Sequence, residues 1–84
     1  MNPIISQFKQ SLEDQLEVMA QKVLTDNALG YMKGGILITT LNKCGEFAKE
    51  EFQGHAHQIG LTETELEQLI NETVSKAIKK YVKL

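Results

Sequence analysis

Gly60-Leu61-Thr62-Glu63-Thr64-Glu65-Leu66-Glu67-Gln68-Leu69-Ile70 is the stretch from which the architecture can be read. Thr62 followed three residues later by Glu65 is a capping box: hydroxyl and carboxylate each satisfy one backbone N–H that a helix start leaves open. Leu61 before the cap and Leu66 after it form a hydrophobic staple, which fixes the angle at which the chain enters the helix. Beyond them Leu66, Leu69, Ile70, Val74, Ala77, Ile78 and Val82 recur at steps of three and four, the period of one buried helix face. Glu63, Glu65 and Glu67 lie at the start of this segment and lysines at its end, the polarity a helix dipole favours. The pattern predicts a helix from Thr62 towards the C-terminus, with Gly60 closing the element before it.

Working backward, Leu37, Leu41, Cys44, Ala48, Phe52, His55 and Ile59 continue a single stripe, with Phe47 on its flank. The spacing predicts one helix over residues 35–58, joined to the last by a turn of about two residues and therefore antiparallel to it. Gly45 and Gly54 fall inside this helix, where each weakens it by about 1 kcal/mol relative to alanine and leaves room for a neighbouring helix. Residues 26–35 carry Asp26, Asn27 and three glycines, the chemistry of a turn. The β-branched start of the middle segment, Ile36-Leu37-Ile38-Thr39-Thr40, leaves open a short hairpin within residues 29–40. Leu29, Tyr31 and Met32 sit in this connection, either folded over the core or presented to a partner. The first segment, from Pro3 to about Thr25, places Ile4, Ile5, Phe8, Leu12, Leu16, Met19, Val23 and Leu24 on one stripe. Asn2 is its expected cap and Pro3 suits the first helical position. The expected fold is all-α: a single domain over residues 1–84, a bundle of three helices with the second and third antiparallel.

Composition narrows the function. The chain has 84 residues, 42% hydrophobic and 24% charged, as in an ordinary globular domain and not a disordered tail. A chain this short buries only a little over ~60% of its unfolded surface, so self-association is a natural supplement to its core. No apolar run approaches the ~18–20 residues of a membrane span, and the first residues lack the basic-then-apolar order of a secretory signal. A single cysteine forms no internal disulfide, which favours a reducing, cytoplasmic setting. All nine basic residues are lysine. Without arginine, whose planar fork reads guanine and phosphate in bidentate fashion, sequence-specific nucleic-acid binding is disfavoured.

Few side chains could carry chemistry. Cys44 and the pair His55/His57 are the nucleophile–base candidates. On one helix, however, Cys44 and His55 would stand about 16 Å apart along the axis. Cys44 also lies on the apolar stripe, as a small core residue does. The two histidines are spaced to point to different sides of a helix, whereas a metal pair needs a four-residue step. Glu51 and His55 have that step, but two ligands do not complete a site. Lys33-Gly34-Gly35 resembles an anion-binding turn only loosely and lacks the Gly-x-x-x-x-Gly-Lys-Ser/Thr order. Lys76, Lys79, Lys80 and Lys83 recur at i, i+3, i+4 and i+7, a basic stripe that reads as an electrostatic patch or as a solvated last turn. There is no attachment serine in an Asp-Ser-Leu motif, no loop of regularly spaced acids and no basic recognition helix.

The expected function is therefore a small non-enzymatic interaction protein (an adaptor, inhibitor or accessory subunit) that associates with another protein or with itself, as a homodimer, through apolar helix faces. Tyr31, Met32, Phe47 and Tyr81 exceed what three helices can hide and are the candidate interface. No cofactor, metal or small-molecule substrate is indicated. One alternative is an electrostatic binder of nucleic acid or anionic membrane that uses Lys76, Lys79, Lys80 and Lys83. Another is a redox or metal protein built on Cys44 and the histidines.

Overall fold

The computed structural model describes residues 3–82. Helix α1 spans Pro3–Leu24, a 3-10 helix spans Asn27–Met32, and α2 spans Lys33–Phe52. A single-turn helix α3, Ala56–Ile59, leads into α4, Glu63–Tyr81. The fold is all-α, and the described residues contain no strand. Pro3 occupies the first helical position of α1, while its expected cap, Asn2, lies outside the described residues.

The connection after α1 is a 3-10 turn and not a hairpin. Asp26 caps it by accepting a hydrogen bond from the Ala28 N–H at 3.0 Å. At Gly30 the backbone takes φ 55 and ψ −133, a region open essentially to glycine alone. The Lys33 ammonium then reaches back and donates to the Leu24 carbonyl at 2.8 Å, satisfying an acceptor that the end of α1 leaves open. This bond ties the end of α1 to the start of α2. At the far end, the Phe8 and Phe52 rings meet edge to face with centroids 4.7 Å apart. Both contacts are those of two helices running in opposite directions. On the other side of α2, Gly45 faces Ile70 and Val74, and the Lys49 ammonium is 3.9 Å from Glu67. Contacts thus descend along α4 as they ascend along α2.

The middle helix is shorter than its apolar stripe implies. It begins at Lys33 and ends at Phe52, rather than spanning 35–58. Gln53 leaves the helix with ψ 128, and Gly54 follows with φ +81. A glycine read as helix interior is therefore the residue that turns the chain. Of the stripe's last residues Ile59 is carried back to the core on α3, 7% exposed, together with Ala56, which the stripe did not include and which is 1% exposed. His55, which the stripe placed with Ile59, is exposed. Gly60, in the left-handed conformation, closes α3. Its N–H donates to the His57 carbonyl at 3.1 Å and the Leu61 N–H donates to the Ala56 carbonyl at 3.0 Å, the paired bonds of a Schellman motif. Thr62 then opens α4 with both bonds of the capping box in place.

The core gathers Leu12, Leu16, Ala20 and Val23 from α1, Leu37, Leu41, Cys44 and Ala48 from α2, and Leu66, Ile70 and Val74 from α4. Leu16, Leu37, Leu41 and Ile70 are the largest side chains closed to water, each worth about 1.5–3 kcal/mol of transfer free energy. Thr73 is the one buried polar residue among those described, and its hydroxyl donates to the Leu69 carbonyl at 2.7 Å. No helix is long and apolar enough to cross a membrane among the described residues.

Candidate interaction surface

The large apolar side chains left in water are unevenly distributed. Tyr31 is 99% exposed, Phe47 68%, Met32 57%, Val18 54% and Ile4 52%. All five belong to α1, α2 or the turn between them, and no comparable side chain among the described residues of α4 is exposed. Helix α4 thus closes one side of the bundle with its apolar face and shows water a polar back, while the α1–α2 hairpin keeps apolar groups outward.

Of the four residues expected at an interface, Tyr31, Met32 and Phe47 lie on this hairpin and are open to solvent. Tyr81 departs from that expectation. It sits on α4, half-buried against the core, with the Lys80 ammonium 5.1 Å from its ring centroid. Ile4 and Val18 were not anticipated. Ile4 falls on the apolar spacing of α1 but lies in its first turn, where little of the bundle remains to cover it. Val18 lies off the stripe, and an apolar residue out of phase with its helix was the available signal.

Tyr31 is held outward by the local backbone. The Asp26 cap on one side, the glycine-only geometry of Gly30 and the Lys33–Leu24 bond on the other fix the short helix that carries it. The lysine of Lys33-Gly34-Gly35 is thereby engaged with a backbone carbonyl, and Gly34 and Gly35 lie inside the first turn of α2.

The lysine stripe does not form a single basic face. Lys76 and Lys80 line a solvent-open groove of about 340 Å³ between α4 and α1, opposite Glu13, Asp14 and Glu17. Lys79 lines a separate groove between α4 and α2, with Glu46 and Lys49. Lys83 lies outside the described residues. On a larger scale charge is separated along the molecule. Glu46, Glu50, Glu51, Glu63, Glu65 and Glu67 gather at the end where α2 finishes and α4 begins, and Lys22 and Lys33 lie towards the other, while Lys76 and Lys80 stand opposite Glu13, Asp14 and Glu17 between the two.

Cys44 is a free, buried thiol. Burial pushes its pKa above the ordinary value, which keeps the nucleophilic thiolate scarce at neutral pH. His55 and His57 are exposed at the α2–α3 corner. No group of three or more His, Cys, Asp or Glu residues positioned to hold a metal ion occurs among the described residues.

Compared with protein-family models, curated proteins and solved structures, the chain matches none. The functional reading therefore rests on the surface itself.

Proposed function

We propose that this chain is a small non-enzymatic interaction module that associates with a second copy of itself through the outward face of the α1–α2 hairpin. The observation that carries this reading is the confinement of every large exposed apolar side chain among the described residues to that hairpin, from Ile4 to Phe47. Exposed apolar groups gathered on one part of a small domain are what an association surface provides.

Shape supports the same reading. Folded monomers of this mass expose about 5,000 Å², whereas this chain exposes 5858 Å². The surplus goes with an elongated shape. The radius of gyration is 13.7 Å, against about 12 Å for a compact domain of this length. The molecule is a rod of 42 × 21 × 19 Å, and side-by-side pairing is the way such a rod sheds its surplus surface.

Absolute mass by light scattering across a wide concentration range tests the reading. The expected result is a mass above the 9.4 kDa of one chain, returning towards it in the Tyr31→Ser/Phe47→Ser protein. A 9.4 kDa particle at every concentration would remove self-association.

A further inference from the structure

We infer that Phe47 of α2 and Ser11 of α1 lie on the twofold axis of the pair, each against its own counterpart, with Lys43 of each copy against Glu50 of the other and Ile4 of each against Val18 of the other. This rests on the self-association proposed above and names the contacts that make it.

Helix α2 supplies the first set. Lys43, Phe47 and Glu50 line one shallow groove on the side of α2 turned away from α4, with Glu46 on its α4 edge. Phe47 is 68% exposed there, and Lys43 and Glu50 are exposed one turn to either side of it. Reversed upon itself, this patch sets ring on ring at its centre and Lys43 against Glu50 twice at its rim. An aromatic anchor at the middle of a contact, flanked by opposite charges, is how protein surfaces gain both adhesion and a defined register.

Helix α1 supplies the second set through different residues. Ile4, Ser11 and Val18 are exposed and stand seven residues apart. Seven residues fall about 20° short of two full turns, so the three form one stripe. The stripe lies away from Glu13 and Glu17, which face α4. It is symmetric about Ser11. Reversed upon itself, it sets Ile4 against Val18 at both ends. At the crossing it leaves two serine side chains, small enough for the helices to approach closely.

A single axis has to serve both helices, and the fold places their centres level. Helices α1 and α2 run in opposite directions, with Leu24 beside Lys33 and Phe8 beside Phe52. Counting thirteen residues back from Leu24 and thirteen on from Lys33 pairs Ser11 with Glu46. Counting three residues on from Phe8 and three back from Phe52 pairs it with Lys49. Phe47 falls inside that interval. A twofold axis across the hairpin therefore passes Ser11 and Phe47 together, with α1 on α1 and α2 on α2, and the same patch is used by both copies. A twofold along the rod would instead lay α1 on α2 of the other copy. Phe47 would then meet Ser11, and Val18 would lie beside Thr39, Thr40 and Asn42, apolar on polar.

Two measurements test these contacts. Ser11→Cys and Val18→Cys, both at exposed positions, are prepared in a Cys44→Ala background, verified as folded by circular dichroism and oxidised separately. Ser11→Cys should link to itself several-fold faster than Val18→Cys, because only position 11 faces its own copy. The second measurement needs no cysteine. Lys43→Glu and Glu50→Lys should each raise the dimer dissociation constant several-fold, since each sets like charges together twice. An equimolar mixture of the two should recover tight association as a mixed pair, in which both contacts again join opposite charges. Val18→Cys linking to itself as fast as Ser11→Cys, or a mixture that associates no better than its components, would overturn these contacts while leaving self-association standing. A monomer at every concentration would remove both the contacts and the reading beneath them.

Discussion

A Cβ built on Gly45 of α2 would stand 2.8 Å from Cγ2 of Val74 on α4, closer than carbon atoms pack. Val74 is 5% exposed and β-branched, so it has little freedom to move aside. Ile70 lies on the same side, at 3.5 Å. Gly45→Ala therefore sets about 1–3 kcal/mol of overpacking against a gain of about 1 kcal/mol in helix propensity. The expected outcome is a net loss of about 1 kcal/mol, measured by urea denaturation. Because the strain is shared with one neighbour, the Gly45→Ala/Val74→Ala protein should lose less than the sum of its single changes. Additive losses would mean that the helices separate without strain.

The start of α4 depends on two reciprocal bonds. The Glu65 N–H donates to the Thr62 hydroxyl at 3.1 Å, and the Thr62 N–H donates to the Glu65 carboxylate at 3.0 Å. Thr62→Ala should cost about 1 kcal/mol, with Thr62→Asp retaining most of the stability because a carboxylate also caps. Thermal unfolding of the two variants checks this, and equal losses in both would show that the cap hydroxyl contributes little.

These two sites differ in how much of them the sequence disclosed. Thr62 and Glu65 lie in one local window, and the bonds they form are the ones their spacing predicts. The capacity of Gly45 for close approach was legible, but its neighbour was not, since Val74 meets it only through the packing of α2 on α4. The end of α2 was misread because Phe52, His55 and Ile59 keep helical spacing across a break, although it is Ala56, and not His55, that reaches the core with Ile59. A single turn after Gly54 returns Ala56 and Ile59 to the core in nearly the phase an unbroken helix would give. Tyr31, Met32 and Phe47 were recognisable as apolar excess. Tyr81 was not separable from them by composition, because its half-burial depends on where α4 lies against the core. Ile4 presents the converse: it has the right spacing, but it stands at a helix end that the bundle leaves uncovered.

Burial of Cys44 sets a pH dependence with a definite sign. Its pKa is raised in the folded chain by desolvation, so the unfolded chain releases the thiol proton first as pH rises. Stability from this group is fully present below the ordinary thiol pKa of about 8.5 and falls as pH climbs above it. Urea denaturation at pH 7 and pH ~9.5 should show a larger loss for the natural protein than for Cys44→Ala. At neutral pH the folded thiol should also react with maleimide much more slowly than in urea. Equal rates in the two conditions would place the thiol at the surface.

The separation of core from surface gives the last expectation. Leu41 is 0% exposed, and Leu41→Ala should cost about 2–5 kcal/mol through lost burial and a residual cavity. Tyr31 and Phe47 are 99% and 68% exposed, so within the single chain Tyr31→Ser and Phe47→Ser should each change stability by no more than about 0.5 kcal/mol. Their effect belongs to assembly. Because binding to the folded state adds concentration-dependent stability, the natural protein should gain unfolding midpoint as its concentration rises. The Tyr31→Ser/Phe47→Ser protein should gain much less, with the two curves meeting at high dilution. Leu41→Ala should instead lower the midpoint at every concentration. A Phe47→Ser protein destabilised even at high dilution would show that this ring supports its own helix bundle rather than a neighbouring chain.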